Sequence, residues 1–349
     1  MAPPYVTPLK RWLEKLVNTR FLTWFSPCIW GSADGYTGIR NFLHGTAFGR
    51  KIVDTFWNVL GNDVLTINGY DKHPETKKLK PWSNPMFIGS GLSILNYGHD
   101  FFDLVRSGKI TIHIADINSL SKHTVNLSSG ERLNADALVC STGWKHNPPL
   151  QFLPPGSDAS YGLPYYTETS NPIVERADQE ILTTFPRLKN QPVQNPKLTD
   201  IPADPADTFA PTRLNQPYRL YRFMIPPSLI SDRSLGFAGV PMCISTSIVA
   251  TIQALWLCAF FDGKISVDGH VEYETVLHSR FGKWRYPAGH GSKYPDFAFD
   301  AVPYFDMLLQ QLGLQSHRKG GRIAEWFHPY GPEDYRGLVD EWKAKYVKA

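Results

Sequence analysis

The sequence predicts an α/β chain with long loops and a helical C-terminal region, and three observations carry that reading. Isoleucines alternate over Lys109 to Ile117, a glycine-turned hairpin follows between Thr124 and Leu133, and an uncharged apolar stretch of helical character runs from Ile244 to Phe261. With 349 residues, of which 42% are hydrophobic and 13% aromatic, the chain is long enough to bury a substantial core and to hold two domains. Its 36 basic and 32 acidic residues leave a formal charge of +4, too mild to argue for nucleic acid or an acidic membrane surface as a partner.

In chain order, Leu9, Trp12, Leu13, Leu16 and Val17 recur at helical spacing with Lys10, Arg11, Glu14 and Lys15 opposite them, which predicts an amphipathic surface helix. Gly31 to Gly49 is rich in glycine and turn formers and reads as an irregular packed loop. Asp63 to Tyr70 reads as a strand, and the lysine- and proline-rich Lys72 to Pro85 as an exposed connection. Met86, Phe87 and Ile88 lead into Gly89-Ser90-Gly91, half of a dinucleotide loop, but Ile94 stands where the third glycine belongs. Phe101 to Val105 reads as a short helix, and Lys109 to Ile117 as a strand with His113 on its exposed face.

Hairpin arms at Thr124 to Leu127 and Glu131 to Leu133 flank a Ser128-Ser129-Gly130 turn. They deliver the chain to Asp136-Ala-Leu-Val-Cys140, which reads as a buried strand stopped by Ser141, Thr142, Gly143 and Trp144. A strand ending in small residues exposes backbone N–H groups that a ligand can approach closely. Beyond it come proline-rich connections, a helix over Val174 to Phe185, the apolar Ile244 to Phe261 helix, a further helix over Val302 to Leu312, and one beginning after Pro332 and running through Glu333 to Tyr346. Ile244 to Phe261 is long enough to be weighed as a membrane span, but Ser245, Thr246, Ser247, Thr251 and Gln253 dilute it and favour a buried helix. Cys28, Cys140, Cys243 and Cys258 lack paired spacing and read as reduced core thiols, which points to a cytoplasmic protein. His290, His317 and His328 lack the spacing of a zinc site.

The segment Asp136 to Trp144, with its hairpin before it, resembles the Ala-Thr-Gly-Tyr segment of the flavin-containing monooxygenases and their Baeyer–Villiger relatives, with Ser141 and Trp144 as the departures. A second stretch, Leu235 to Gly263, resembles that family's later strand, cofactor loop and helix, with the Gln-Ala-x-Trp signature at Gln253, Ala254 and Trp256. The two occur in the family's order. The resemblance implies an incomplete, Rossmann-like architecture of two dinucleotide-binding domains, for FAD and NADPH, corresponding to the family's downstream portion, because neither complete glycine-rich fingerprint is present. It divides the chain into a helical and loop region (1–60), a remnant of an α/β dinucleotide-binding domain (61–150), a proline-rich connection with a helix (151–230), and a cofactor-proximal strand and helix with a helical tail (231–349).

The implied activity is an FAD- and NADPH-dependent monooxygenation of a small hydrophobic organic substrate through a flavin hydroperoxide, with a second polypeptide as a candidate source of the missing half. By motif position, Ser141, Thr142, Gly143 and Trp144 would lie near the nicotinamide and flavin, and Gly239, Ser245, Thr246 and Gln253 near the isoalloxazine. The alternative is a folded, non-catalytic binding module or fragment that has lost flavin chemistry.

Overall fold

The computed structural model describes residues 2–88, 93–142, 150–164, 171–192, 195, 216–267, 269–286, 291 and 294–346. Two minimal strands open the chain, β1 (Tyr5–Val6) and β2 (Arg11–Trp12), paired antiparallel with Tyr5 opposite Trp12. Helices α1 (Leu13–Val17) and α2 (Arg20–Trp24) follow. Only one turn of the expected amphipathic helix forms, because Leu9 to Trp12 is spent on the turn and strand that return the chain to β1. Gly31 to Gly49 is also more regular than expected: a 3-10 turn at Gly31–Asp34, helix α3 (Thr37–Arg40) and a π turn at Asn41–Gly45 run into α4 (Ala47–Asn68).

Helix α4 corrects the strand expected at Asp63 to Tyr70. Thr46 caps its start by accepting from the Gly49 N–H at 2.9 Å, and Gly69 ends it in the left-handed conformation at φ 59°. Val53, Trp57, Leu60, Val64 and Asn68 are all buried, at spacings of three and four, so one inward face extends through the β-branched residues that suggested a strand. Packing overrides propensity here, and the helix runs unbroken across the boundary drawn between residues 60 and 61.

Helices α5 (Pro74–Lys78) and α6 (Phe101–Arg106) bracket the next stretch, and Asp100 caps α6 by accepting from the Phe102 and Asp103 N–H groups. The strand expected over Lys109 to Ile117 is not formed. The backbone of Ile112 is instead satisfied by side chains of α5: its N–H donates to Glu75 Oε2 at 2.8 Å and its carbonyl accepts from Lys78 Nζ at 2.8 Å. The sheet that follows has order β3-β4-β5, from β3 (Ile117–Ser121), β4 (Thr124–Leu127) and β5 (Arg132–Asn134), so the expected hairpin is present. Both sheets are antiparallel, and no parallel sheet occurs among the described residues. The fold is therefore a mixture of helices with small sheets. The buried strand expected at Ala137 to Cys140 is also corrected: these residues have no strand partner among the described residues, and Leu138 and Val139 are 46% and 88% exposed.

The C-terminal half is helical: the expected α7 (Pro172–Thr184), α8 (Thr246–Phe261) and α10 (Ala301–Gln311) form, α9 (Val271–Arg285) and α11 (Arg322–Phe327) are additional, and the last helix, α12 (Leu338–Tyr346), starts five residues later than expected, after a 3-10 turn at Pro332–Tyr335. Helix α8 buries Ile248, Val249, Ile252, Trp256 and Phe260 against α10, whose Val302, Tyr304, Phe305 and Leu308 are fully buried. The same core takes in Leu16 and Trp57 from the N-terminal helices and Trp30 from the turn between α2 and α3. Among the described residues no helix is long and apolar enough to cross a membrane. All four cysteines are free; Cys28 and Cys243 are buried, whereas Cys140 and Cys258 are exposed rather than in the core.

Candidate functional site

The residues that the second sequence match singles out lie on α8 and on the segment that leads to it. The segment leading to it is not a strand, but it is pinned along its length. Phe237 N–H donates to the Met224 carbonyl at 2.8 Å, Gly239 N–H to Gln253 Oε1 at 2.9 Å, and Met242 N–H to the Pro295 carbonyl at 2.8 Å. Gly239 adopts φ 77°, a left-handed conformation that glycine takes without strain. A Cβ built on it would meet nothing within 4 Å, so its face is open to an approaching group.

Gln253 is fully buried and committed at both ends, since its Nε2 donates to the Tyr304 hydroxyl at 2.8 Å, which in turn donates to the Arg222 carbonyl at 2.8 Å. Its amide therefore holds the Gly239 turn in place. Burial raises the Tyr304 phenol, so that it remains a neutral hydroxyl in this chain of bonds. Ser245, the residue before α8, is buried and donates to Asn18 Oδ1 at 2.8 Å, while its N–H meets Cys243 Sγ at 3.3 Å. Thr246 is exposed at the helix start and donates to the Cys243 carbonyl at 2.9 Å. The Cys243 thiol is pushed up to about 12 by burial, which keeps it protonated and unsuited to act as a nucleophile. The result is an open backbone ledge at Gly239, held against the middle of α8 by Gln253, with Ser245 and Thr246 at the helix N-terminus, where N–H groups and the helix dipole favour an electron-rich or anionic ligand group.

The first sequence match is placed differently. Ser141 and Thr142 are exposed beyond the hairpin, and no hydrogen bond among the described residues joins them to α8; Gly143 and Trp144 lie outside the described residues, as do Gly89, Ser90 and Gly91. Asn18 and Tyr304 were not anticipated from sequence. A tyrosine on the apolar face of a buried helix does carry a signal, because its hydroxyl needs a partner. Among the described residues, no group of three or more His, Cys, Asp or Glu is placed to hold a metal ion.

A pinned glycine turn leading into an apolar helix is the candidate site, and comparison with known proteins finds the chain similar to flavoprotein oxidoreductases. More narrowly, the proteins it resembles are FAD-dependent monooxygenases. It is 30% identical over 338 residues to the FAD-dependent monooxygenase DEP4 of Alternaria brassicicola, covering 94% of this chain and 55% of that protein. It is 31% identical over 340 residues to DEP4 of Fusarium langsethiae, covering 94% and 56%. It is 30% identical over 371 residues to the FAD-dependent monooxygenase resA of Aspergillus sclerotiorum, covering 98% and 61%. The chain thus spans little more than half the length of these relatives. No family model matches it, and no solved structure does.

Proposed function

We propose that this chain forms one side of the flavin site of an FAD- and NADPH-dependent monooxygenase acting on a small hydrophobic organic substrate. The observation that carries the reading is the open Gly239 turn, fixed by the buried Gln253 of α8. Those residues fit a flat ring system approaching bare backbone. In this reading Gly239, Ser245 and Thr246 line the flavin side, and Gln253 with Tyr304 positions the turn without touching the cofactor. FAD, when bound and reduced by NADPH, supplies the redox chemistry by which one oxygen atom of dioxygen enters the substrate and the other leaves as water. The chain's own work is to orient the cofactor and to keep the α8 side dry, for which the buried Ile248, Val249 and Ile252 behind the ledge are suited.

The two-dinucleotide architecture belongs to the same proposal. The pyrophosphate-binding loops come from outside the described residues, in a second polypeptide or another segment. In that assembly residues 136–140 pair as a strand, which covers Leu138 and Val139 and directs the chain beyond Cys140, from Ser141 on, to the nicotinamide and flavin.

The test is a titration of the purified chain with FAD, following flavin fluorescence and thermal stability together. Saturable quenching with a raised melting temperature is expected, and an NADPH oxidation assay follows. Absence of both at high FAD concentration rejects the flavin site and leaves the non-catalytic module.

A further inference from the structure

A cavity of about 210 Å³ opens between α1, α4 and the residue that precedes Ser245. Its floor is apolar and buried, formed by Val17, Trp57, Leu60 and Val64, and Phe299 and Ile244 stand at its walls. Ile88 and Ile94 close another side. Polar groups are few. The exposed Asn58, Asn62 and Asn84 sit at the rim, with Asn84 Nδ2 donating to Asn58 Oδ1 at 3.2 Å. One group is different: Ser83 is a lining residue, and its Oγ, buried just behind the cavity wall, has no hydrogen-bond partner among the described residues. An apolar concavity with a small number of placed polar groups is the usual form of a small-molecule site, and a buried hydroxyl without a partner is costly until a ligand or water satisfies it.

We propose that this cavity binds a compact, apolar ring compound bearing a single oxygen function, which hydrogen-bonds to Ser83 while the ring lies against Trp57, Leu60 and Val64. A dry cavity of roughly 150 Å³ accepts benzene, so this larger one has room for about ten non-hydrogen atoms. The lining excludes charged compounds, because it offers no counter-charge and would strip their water. The cavity ends at Ile244, and Ser245 and Thr246 follow directly at the start of α8, so a compound held there lies beside two of the residues assigned to the flavin side. Naming that compound the substrate rests on the function proposed above. Its binding does not, since every lining residue belongs to this chain.

The probes are naphthalene and 2-naphthol, titrated into the chain without flavin while tryptophan emission and melting temperature are followed. Both bind saturably, and 2-naphthol binds more tightly. Ser83→Ala weakens 2-naphthol by about tenfold and leaves naphthalene within about twofold, as expected for loss of one hydrogen bond. Ile244→Trp, at the exposed mouth, excludes both probes with the melting temperature of the free chain unchanged. Three results overturn the proposal: no saturable binding to the folded wild-type chain, an equal loss for both probes on Ser83→Ala, or undiminished binding to Ile244→Trp. Failure here with FAD binding intact removes the cavity and leaves the flavin reading; the reverse outcome removes the flavin and leaves the cavity.

Discussion

Gln253→Leu isolates the bond that fixes the candidate site, because leucine preserves most of the volume and removes both ends of the amide. The two ends differ in what they lose. Gly239 is exposed, so its freed N–H can turn to water, and most of the stability cost falls on the buried Tyr304 hydroxyl, which loses its donor from Gln253 but keeps its bond to the Arg222 carbonyl. Net hydrogen-bond contributions of about 1 kcal/mol give an expected destabilisation of about 1–2 kcal/mol, a shift of a few degrees in melting temperature for a chain of this size. The local effect is larger. The Gly239 N–H is held by a side chain rather than by a ladder, so its hydrogen exchange should accelerate in Gln253→Leu toward that of a free loop.

A double-mutant cycle with Tyr304→Phe separates the shared bond from the effect of each side chain on the core. The coupling expected between directly bonded partners is about 1 kcal/mol, measured by denaturant unfolding of the four proteins. FAD affinity should fall in Gln253→Leu by more than the global destabilisation requires, because the folded chain keeps its core and loses the turn. An unchanged Gly239 exchange rate together with zero coupling would refute the claim that Gln253 positions the ledge.

Two further outcomes follow from buried charge. Burial pushes the Asp300 carboxyl up to about 6, against the opposing influence of Arg285 and the Ser26 hydroxyl that donates to it at 2.9 Å. Its folded pKa lies above the unfolded value of about 3.9, so its contribution is fully present below about pH 4 and is lost as pH rises through 6, amounting to about 3 kcal/mol. Asp300→Asn should remove that segment of the pH–stability curve, and a difference curve flat between pH 4 and 7 would count against the assignment. Arg20 is fully buried, with its Nε donating to Glu325 Oε1 at 2.6 Å and its guanidinium also paired with Asp306. Arg20→Met leaves both carboxylates without their cation and should cost about 3–5 kcal/mol in denaturant unfolding; a loss below about 1 kcal/mol contradicts the network.

What the sequence made legible is what local pattern decides. The Ser128-Ser129-Gly130 turn specified its hairpin, the apolar spacing of Val174, Ala177 and Ile181 marked α7, and the polar residues diluting the uncharged run from Ile244 to Phe261 favoured a buried helix over a membrane span. The failures are where a partner decides. Val64, Thr66 and Ile67 favour strand locally, but Trp57 and Leu60 one turn earlier already commit the same face to the core. Ile110 to Ile114 and Ala137 to Cys140 have the composition of strands, yet a strand needs a neighbour, and the backbone of Ile112 finds side chains of α5 instead. At the candidate site, Gly239, Ser245, Thr246 and Gln253 were all visible as motif positions. Their supports Asn18, Tyr304 and Arg222 were not, because each comes from a distant part of the chain and carries no motif of its own.

That division has a physical consequence for how the site is held. Arg20 pairs with Asp306 and Glu325, Arg285 reaches Ser26 and the Met86 carbonyl, and Trp30 donates to the Asp300 carbonyl at 3.1 Å. These bonds join residues 20–30 to residues 285–325, and the ledge at Gly239 hangs from the same block through Gln253 and Tyr304. The site is therefore mounted on the part of the molecule whose opening requires breaking buried charge pairs. Residues 109–142 have no comparable anchor: the β3-β4-β5 sheet buries Val125 and Leu127, while Ile117, Leu120, Leu138 and Val139 remain exposed. Stability should be unequal across the molecule, with amides at 109–142 exchanging at low opening free energy and those of α8 and α10 only on global unfolding. A flavin partner that covers 136–140 would add protection in the first region and leave the second nearly unchanged, because α8 and α10 already owe their order to the core they share.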